Sequence, residues 1–267
     1  MTQYLFAATE HGLLFLEKEG ERWREAGGTL HNHHFTTIDA AGQAVLAGAK
    51  DGIHRSDDAG QTWWESSEGL TERHVRWIMF HPEDARRAYA GTEPAAIFRS
   101  DDGGRTWRLC PEVVRLRDEG GWNLPYSPEA GAIRGFAFNG ARGYAAAEQG
   151  GLLRSDNWGE SWQMAAGSTG QVSYRFPPGF IHPDVHSVVV HPTTPDQVFA
   201  PTGGGFYYSY DGGRSWEQIH DHYGRAVWVD PERPAHMILG AADSAHSNGR
   251  IVRTIEGGDT WELEMRG

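Results

Sequence analysis

The chain has 267 residues, 39% hydrophobic and 22% charged, enough for a packed core and too apolar for general disorder. Its formal charge of −12 argues against broad contact with nucleic acid or an anionic membrane, and Cys110, the one cysteine, excludes an internal disulfide framework. No apolar run approaches the roughly 20 residues needed to span a bilayer, and the start MTQYLFAATEHG lacks the basic and apolar regions of a secretory signal, so a cytoplasmic location is expected.

The predicted elements repeat. Residues 3–23, QYLFAATEHGLLFLEKEGERW, read as three strands: B, C and the start of D. From there each unit has four strands, A to D. Strands A are HFTTIDA (34–40), VRWIMFHP (75–82), IRGFAFN (133–139), VHSVVVHP (185–192) and AVWVDP (226–231). Strands B are AVLAGA, AYAGT, YAAAE, VFAPT and MILGA, and strands C are GIHRS, AIFRS, GLLRS, FYYS and RIVRT. Two D-to-A connections, 108–132 and 163–184, are long and have no repeat structure, so they read as loops.

A turn motif, Ser-x-Asp-x-Gly-x-Thr-Trp, joins strands C and D. It reads SDDAGQTW at Ser56, SDDGGRTW at Ser100, SDNWGESW at Ser155, SYDGGRSW at Ser209 and TIEGGDTW at Thr254, with a decayed copy ending at Trp23. The motif tryptophans are spaced by 40, 44, 55, 54 and 45 residues, the period of a propeller blade. Asp or Asn can bond backbone N–H groups of a tight turn, Gly supplies the positive φ, and Trp can pack between neighbouring sheets. This pattern resembles the Asp-box, or BNR, repeat of the sialidase-like β-propellers. The resemblance implies an all-β fold, a six-bladed β-propeller, in one domain covering residues 1–267. The first blade lacks a strand A, and ELEMRG after Trp261 is already used as the last strand D.

The resemblance also implies that D-to-A and B-to-C connections share the working face. Aligned strands A give one column of Phe35, Arg76, Arg134, His186 and Arg225, and a second, two positions earlier, of His33, His74, Ala132, Asp184 and Tyr223. Repetition would bring these side chains toward one axis. B-to-C turns add acids to that face, among them Asp51, Glu93, Glu148 and the insertion Asp243–His246, and the long connections add Trp122, Tyr126 and Tyr174. Clustered like charges are costly unless an anion or carboxylates balance them.

Three chemistries follow. In the first, Arg76, Arg134 and Arg225 hold a small carboxylated or otherwise anionic, sugar-like substrate as the arginine trio of sialidases does. Glu93, Trp122 and Tyr174 then complete the binding wall, and Tyr223 with Glu148 or Glu93 performs hydrolase or lyase chemistry. An Arg-Ile-Pro motif near the N-terminus is missing, which argues against a true sialidase. In the second, His33 or His34 with His74 and His186 holds a divalent transition metal (Zn, Mn, Fe or Ni), with His246 or Asp184 as fourth ligand, or the histidines act as general bases. His54, His81, His191 and His236 are expected away from this face. In the third, the propeller is a non-catalytic scaffold, as in photosystem assembly factors with an arginine-lined face. The expected partner is a small anionic molecule, without nucleic acid or membrane.

Overall fold

The computed structural model describes residues 4–171 and 177–266. The fold is a six-bladed β-propeller built of antiparallel meanders, five blades with four strands and one with three. The chain divides into two compact units, residues 1–109 and 110–267.

The first unit holds three blades. Blade 1 has β1 (Tyr4–Thr9), β2 (Gly12–Glu19) and β3 (Arg22–Thr29), three strands among the described residues. Blade 2 has β4 (Phe35–Ala41), β5 (Ala44–Ala49), β6 (Gly52–Ser56) and β7 (Trp64–Glu65), and blade 3 has β8 (Val75–His81), β9 (Asp84–Thr92), β10 (Ile97–Ser100) and β11 (Arg108–Leu109). Blades 1 and 2 bury Leu13 against Phe35, Ala47 and Ala49. Trp107 enters the slot between blades 2 and 3, where its Nε1 donates to the Ser66 carbonyl at 2.8 Å.

The second unit opens with α1 (Pro111–Gly120). The connection 108–132, read from sequence as a loop, is corrected here. Pro111 sits in the first turn, where its missing N–H costs nothing, and Gly121 ends the helix at φ 61°. Blade 4 follows with β12 (Ala132–Asn139), β13 (Arg142–Glu148), β14 (Gly151–Ser155) and β15 (Gln163–Met164). Blade 5 has β16 (Val189–Val190), β17 (Val198–Thr202), β18 (Gly205–Ser209) and β19 (Glu217–His220). Blade 6 has β20 (Tyr223–Val229), β21 (Met237–Ala242), β22 (Arg250–Thr254) and β23 (Glu262–Arg266). One core cluster packs Tyr144, Leu152, Val198, Tyr207 and Trp216, and another packs Phe199, Phe206, Leu239 and Val252. Alternating apolar positions on successive strands supply both.

The repeated turns have the bonding their residues dictate. In blade 5, Ser209 Oγ donates to Asp211 at 2.8 Å and accepts the Gly213 N–H at 2.9 Å. Asp211 then accepts the backbone N–H groups of Arg214 and Ser215 and the Ser215 hydroxyl. Asp102 and Asp58 repeat this pattern with Thr106 and Thr62. The turn is a local hydrogen-bonded knot, a structural device at one end of blades 2, 3 and 5.

Candidate functional site

Four strands A carry a β-bulge at the same place. Pairing shifts between Phe35 and Thr37, Val75 and Trp77, Ile133 and Gly135, and Gly224 and Ala226. The extra residues are Thr36, Arg76, Arg134 and Arg225. A bulge turns its extra side chain away from the alternation of the strand. The aligned column therefore needs one correction: blade 2 contributes Thr36, not Phe35, which is core. Counting back two positions then gives His34 in place of His33.

In the second unit this geometry builds a cavity of about 650 Å³ lined by Tyr126, Arg134, Glu148, Asp184, His186, Tyr223, Arg225, Arg250 and the turn that carries His246. Arg134 Nε donates to Glu148, and its Nη2 donates to the Tyr126 hydroxyl at 2.9 Å. The Tyr126 hydroxyl in turn donates a hydrogen bond to Glu148 at 2.7 Å, so the three close a ring of bonds. Burial works against the Arg134 charge, but Glu148 outweighs it and raises the pKa of the guanidinium.

Beside this ring, His186 Nδ1 lies 2.6 Å from the Gly224 carbonyl and Nε2 lies 3.2 Å from Asp184 Oδ2. A carbonyl only accepts, so Nδ1 carries a proton. Burial disfavours the Asp184 anion, yet the bond and charge of His186 prevail and hold its carboxyl below the ordinary range. Among the described residues, the buried Asp184 Oδ1 has no hydrogen-bond partner. The Tyr223 ring packs tilted against the His186 ring, 4.7 Å between centroids, and its hydroxyl accepts from Arg225 Nη1 at 2.9 Å. That leaves the hydroxyl proton free to donate. Burial raises the Tyr223 pKa, which keeps the proton in place.

Charge pairing separates the arginines. Arg134 is balanced by Glu148 and Arg250 by Asp243 at 2.6 Å. Arg225 is exposed and, among the described residues, makes no ion pair. In the first unit, the equivalent Arg76 pairs with buried Glu93 at 2.8 Å. Glu93 and Glu148, expected to face substrate, thus serve first as counter-charges inside their own blades. Of the three arginines expected to hold an anion, Arg76 and Arg134 thus have carboxylate partners, and Arg225 makes no ion pair among the described residues.

The histidines also divide. His33, His34 and His74 belong to the first unit. His33 Nδ1 bonds Asp51 at 2.8 Å and its ring meets that of His54 at 4.4 Å. His54, expected away from the working face, is therefore a neighbour of His33. His74 is half-buried, and burial lowers its pKa. In the second unit His246 is exposed on the cavity wall and His186 is buried within it. Glu148, Asp184 and His186 offer donor atoms that all lie within 4.8 Å of one another, and a second, exposed group is His220, Asp221 and His222.

Trp122, expected as a binding surface, is buried and donates Nε1 to the Gly170 carbonyl at 2.7 Å. Tyr174 lies outside the described residues. Tyr126, named from sequence only as part of the long connection, was given no role in the site, where it bonds Glu148 and Arg134. The signal available was its aromatic ring in a connection running to strand A of the arginine blade.

Two segments, residues 98–109 and 207–218, match the family model described as BNR/Asp-box repeat. The chain carries BNR/Asp-box repeats. No curated protein matches it. Among solved structures, an ancestral GH74 enzyme is similar at 17% identity and TM-score 0.67, over 86% of this chain and 31% of that one. YCF48 bound to D1 peptide is similar at 15% identity and TM-score 0.64, over 98% and 79%. YCF48 from Cyanidioschyzon merolae is similar at 13% identity and TM-score 0.60, over 98% and 85%. The BNR-repeat chain thus spans about a third of the GH74 enzyme, and at these identities the likeness is one of fold. GH74 enzymes and YCF48 share that fold, so the propeller itself does not select a chemistry. No helix among the described residues is long and apolar enough to cross a membrane.

Proposed function

We propose that the cavity of the second unit binds a small carboxylated or otherwise anionic molecule and acts on it with hydrolase or lyase chemistry. The observation that carries this reading is Arg225, an exposed guanidinium that makes no ion pair among the described residues, beside pairs that are already closed. An anion seated on Arg225 would accept from its guanidinium and from the Tyr223 hydroxyl, a charge-assisted arrangement suited to a carboxylate. Glu148, Asp184 and His186 then lie next to the anchored group, where protons can be given and taken.

Thermal-shift titration with small mono- and dicarboxylates tests the anchor. An acid that raises the melting temperature of the wild type should lose that effect in Arg225→Ala and keep it in Arg115→Ala, an exposed helix residue. If no acid stabilises the wild type more than Arg225→Ala, the reading fails.

A second reading is a non-catalytic platform for a peptide partner. It is supported by the extent of the likeness to YCF48, whose structure was solved with D1 peptide and which this chain matches over most of both lengths. Under that reading, organic acids leave the melting temperature unchanged and turnover is absent from every acid tested.

A further inference from the structure

We infer that Glu148, Asp184 and His186 form a binding site for one divalent transition metal ion, taken up through His186 Nε2 and the two carboxylates. The inference rests on the cavity of the second unit being the working site, but it does not depend on the anionic ligand.

The argument starts from the imidazole. Its Nδ1–H is committed to the Gly224 carbonyl at 2.6 Å. Metal-bound histidines generally donate their other ring N–H in this way, which fixes the tautomer and turns the remaining lone pair to the ion. Here Nε2 lies 3.2 Å from Asp184 Oδ2, bonding that carboxylate when protonated and turning its lone pair toward it when neutral. A lone pair against a carboxylate is repulsive unless a cation lies between them. A proton satisfies that contact alone. It leaves Asp184 Oδ1, buried and without a hydrogen-bond partner among the described residues, uncompensated. An ion shared with Glu148 answers both, because the donor atoms of all three residues lie within 4.8 Å of one another.

The donor set selects the ion. Two carboxylates and one imidazole suit Mn²⁺, Fe²⁺ or Zn²⁺ better than thiophilic ions, and open positions would remain for water or ligand. Burial favours the site over a surface cluster: the His186 side chain is 2% exposed and that of Asp184 16%. Charge also links the site to the anchor. With Arg134 offset by Glu148, a divalent ion opposite Asp184 and Arg225 leaves the cavity positive, so an anion should bind more tightly in its presence. The trio differs from the histidine set expected from sequence and shares with it only His186.

The test uses the intact chain and the metal alone. Apo-protein prepared with chelator is titrated with Mn²⁺, followed by loss of the free-ion electron paramagnetic resonance signal, and with Zn²⁺ by calorimetry. One equivalent is expected per chain. Asp184→Asn and His186→Gln should each weaken uptake at least tenfold, whereas Arg225→Ala and the double variant His220→Ala/His222→Ala should retain it. Mn²⁺ should also broaden the His186 ring resonances of the wild type, which keeps the site testable if the variants misfold. No uptake, uptake unchanged in Asp184→Asn, or loss in the His220/His222 double variant would overturn the assignment. Carboxylate binding that needs Arg225, found together with no metal uptake, would leave the anchor standing and remove only the metal.

Discussion

Arg154 Nη1 donates to the Gly212 carbonyl at 2.9 Å, so a strand C residue of blade 4 grips the turn of blade 5. The same guanidinium pairs with Asp156 in its own turn at 2.7 Å. Arg55 makes the equivalent bonds to Gly103 and Asp57 in the first unit. The Arg-Ser step that closes several strands C is thus a staple between neighbouring blades, set at the end opposite the proposed site.

Arg154→Met removes a charged donor from a largely buried carbonyl and should cost about 1.5–3 kcal/mol. Arg214→Ala, an exposed turn residue that bonds only within its own turn, should change stability by less than about 0.5 kcal/mol. Urea midpoints of the two variants measure the difference. Equal midpoints would remove the staple.

The motif tryptophans are not equivalent. Trp216 is 6% exposed within a core cluster, whereas Trp23, in the decayed copy, is 41% exposed. Trp216→Ala should cost on the order of 3–5 kcal/mol by emptying its slot. Trp23→Ala should cost below about 1 kcal/mol, as surface changes do. Similar losses for both would show that the turn, rather than the buried ring, sets blade stability.

Trp122 supports a prediction about the long connection. A Cβ at Gly150 would lie 2.6 Å from its ring, and one at Gly120 would lie 2.5 Å from its Nε1. The ring is wedged between two glycines and tied to Gly170. Gly150→Ala should therefore cost about 1–3 kcal/mol through overpacking and should shift the tryptophan fluorescence. An unperturbed spectrum at wild-type stability would mean that the ring can move aside.

These residues show what the sequence could carry. Strand order, the three-stranded first blade and the turn chemistry were legible because each depends on local residue types repeated at blade spacing. The two-residue signal of α1, Pro111 and Gly121, was present but hidden in a segment without repeat pattern. The site was legible in part. Arg134, Glu148, His186, Tyr223 and Arg225 were all candidates, and the cavity unites them. Their pairing was not legible, because Arg134 and Glu148 come from different strands and a one-residue bulge decides where the arginine points. The same bulge exchanges Phe35 for Thr36 and His33 for His34, a shift that a sequence alignment without pairing cannot detect.

The turn carboxylates should contribute to the acid sensitivity of the fold. Asp58 is held down to about 2 by bonds from Thr62 and Ser56. At Asp102 and Asp211 burial opposes ionisation, but the Thr106 and Ser215 bonds outweigh it and bring both to about 2. A carboxyl whose pKa is lower in the folded state binds protons first when unfolded, so its stabilisation is complete above about 4 and disappears as pH falls toward 2. Blade 4 already uses Asn157 at this position, where it accepts the Ser161 N–H at 3.1 Å and donates to the Ser161 hydroxyl at 2.9 Å. Asp102→Asn/Asp211→Asn should therefore fold, and its urea midpoint should vary less between pH 4 and 2 than that of the wild type. Parallel curves over that range would place the acid sensitivity outside these turns.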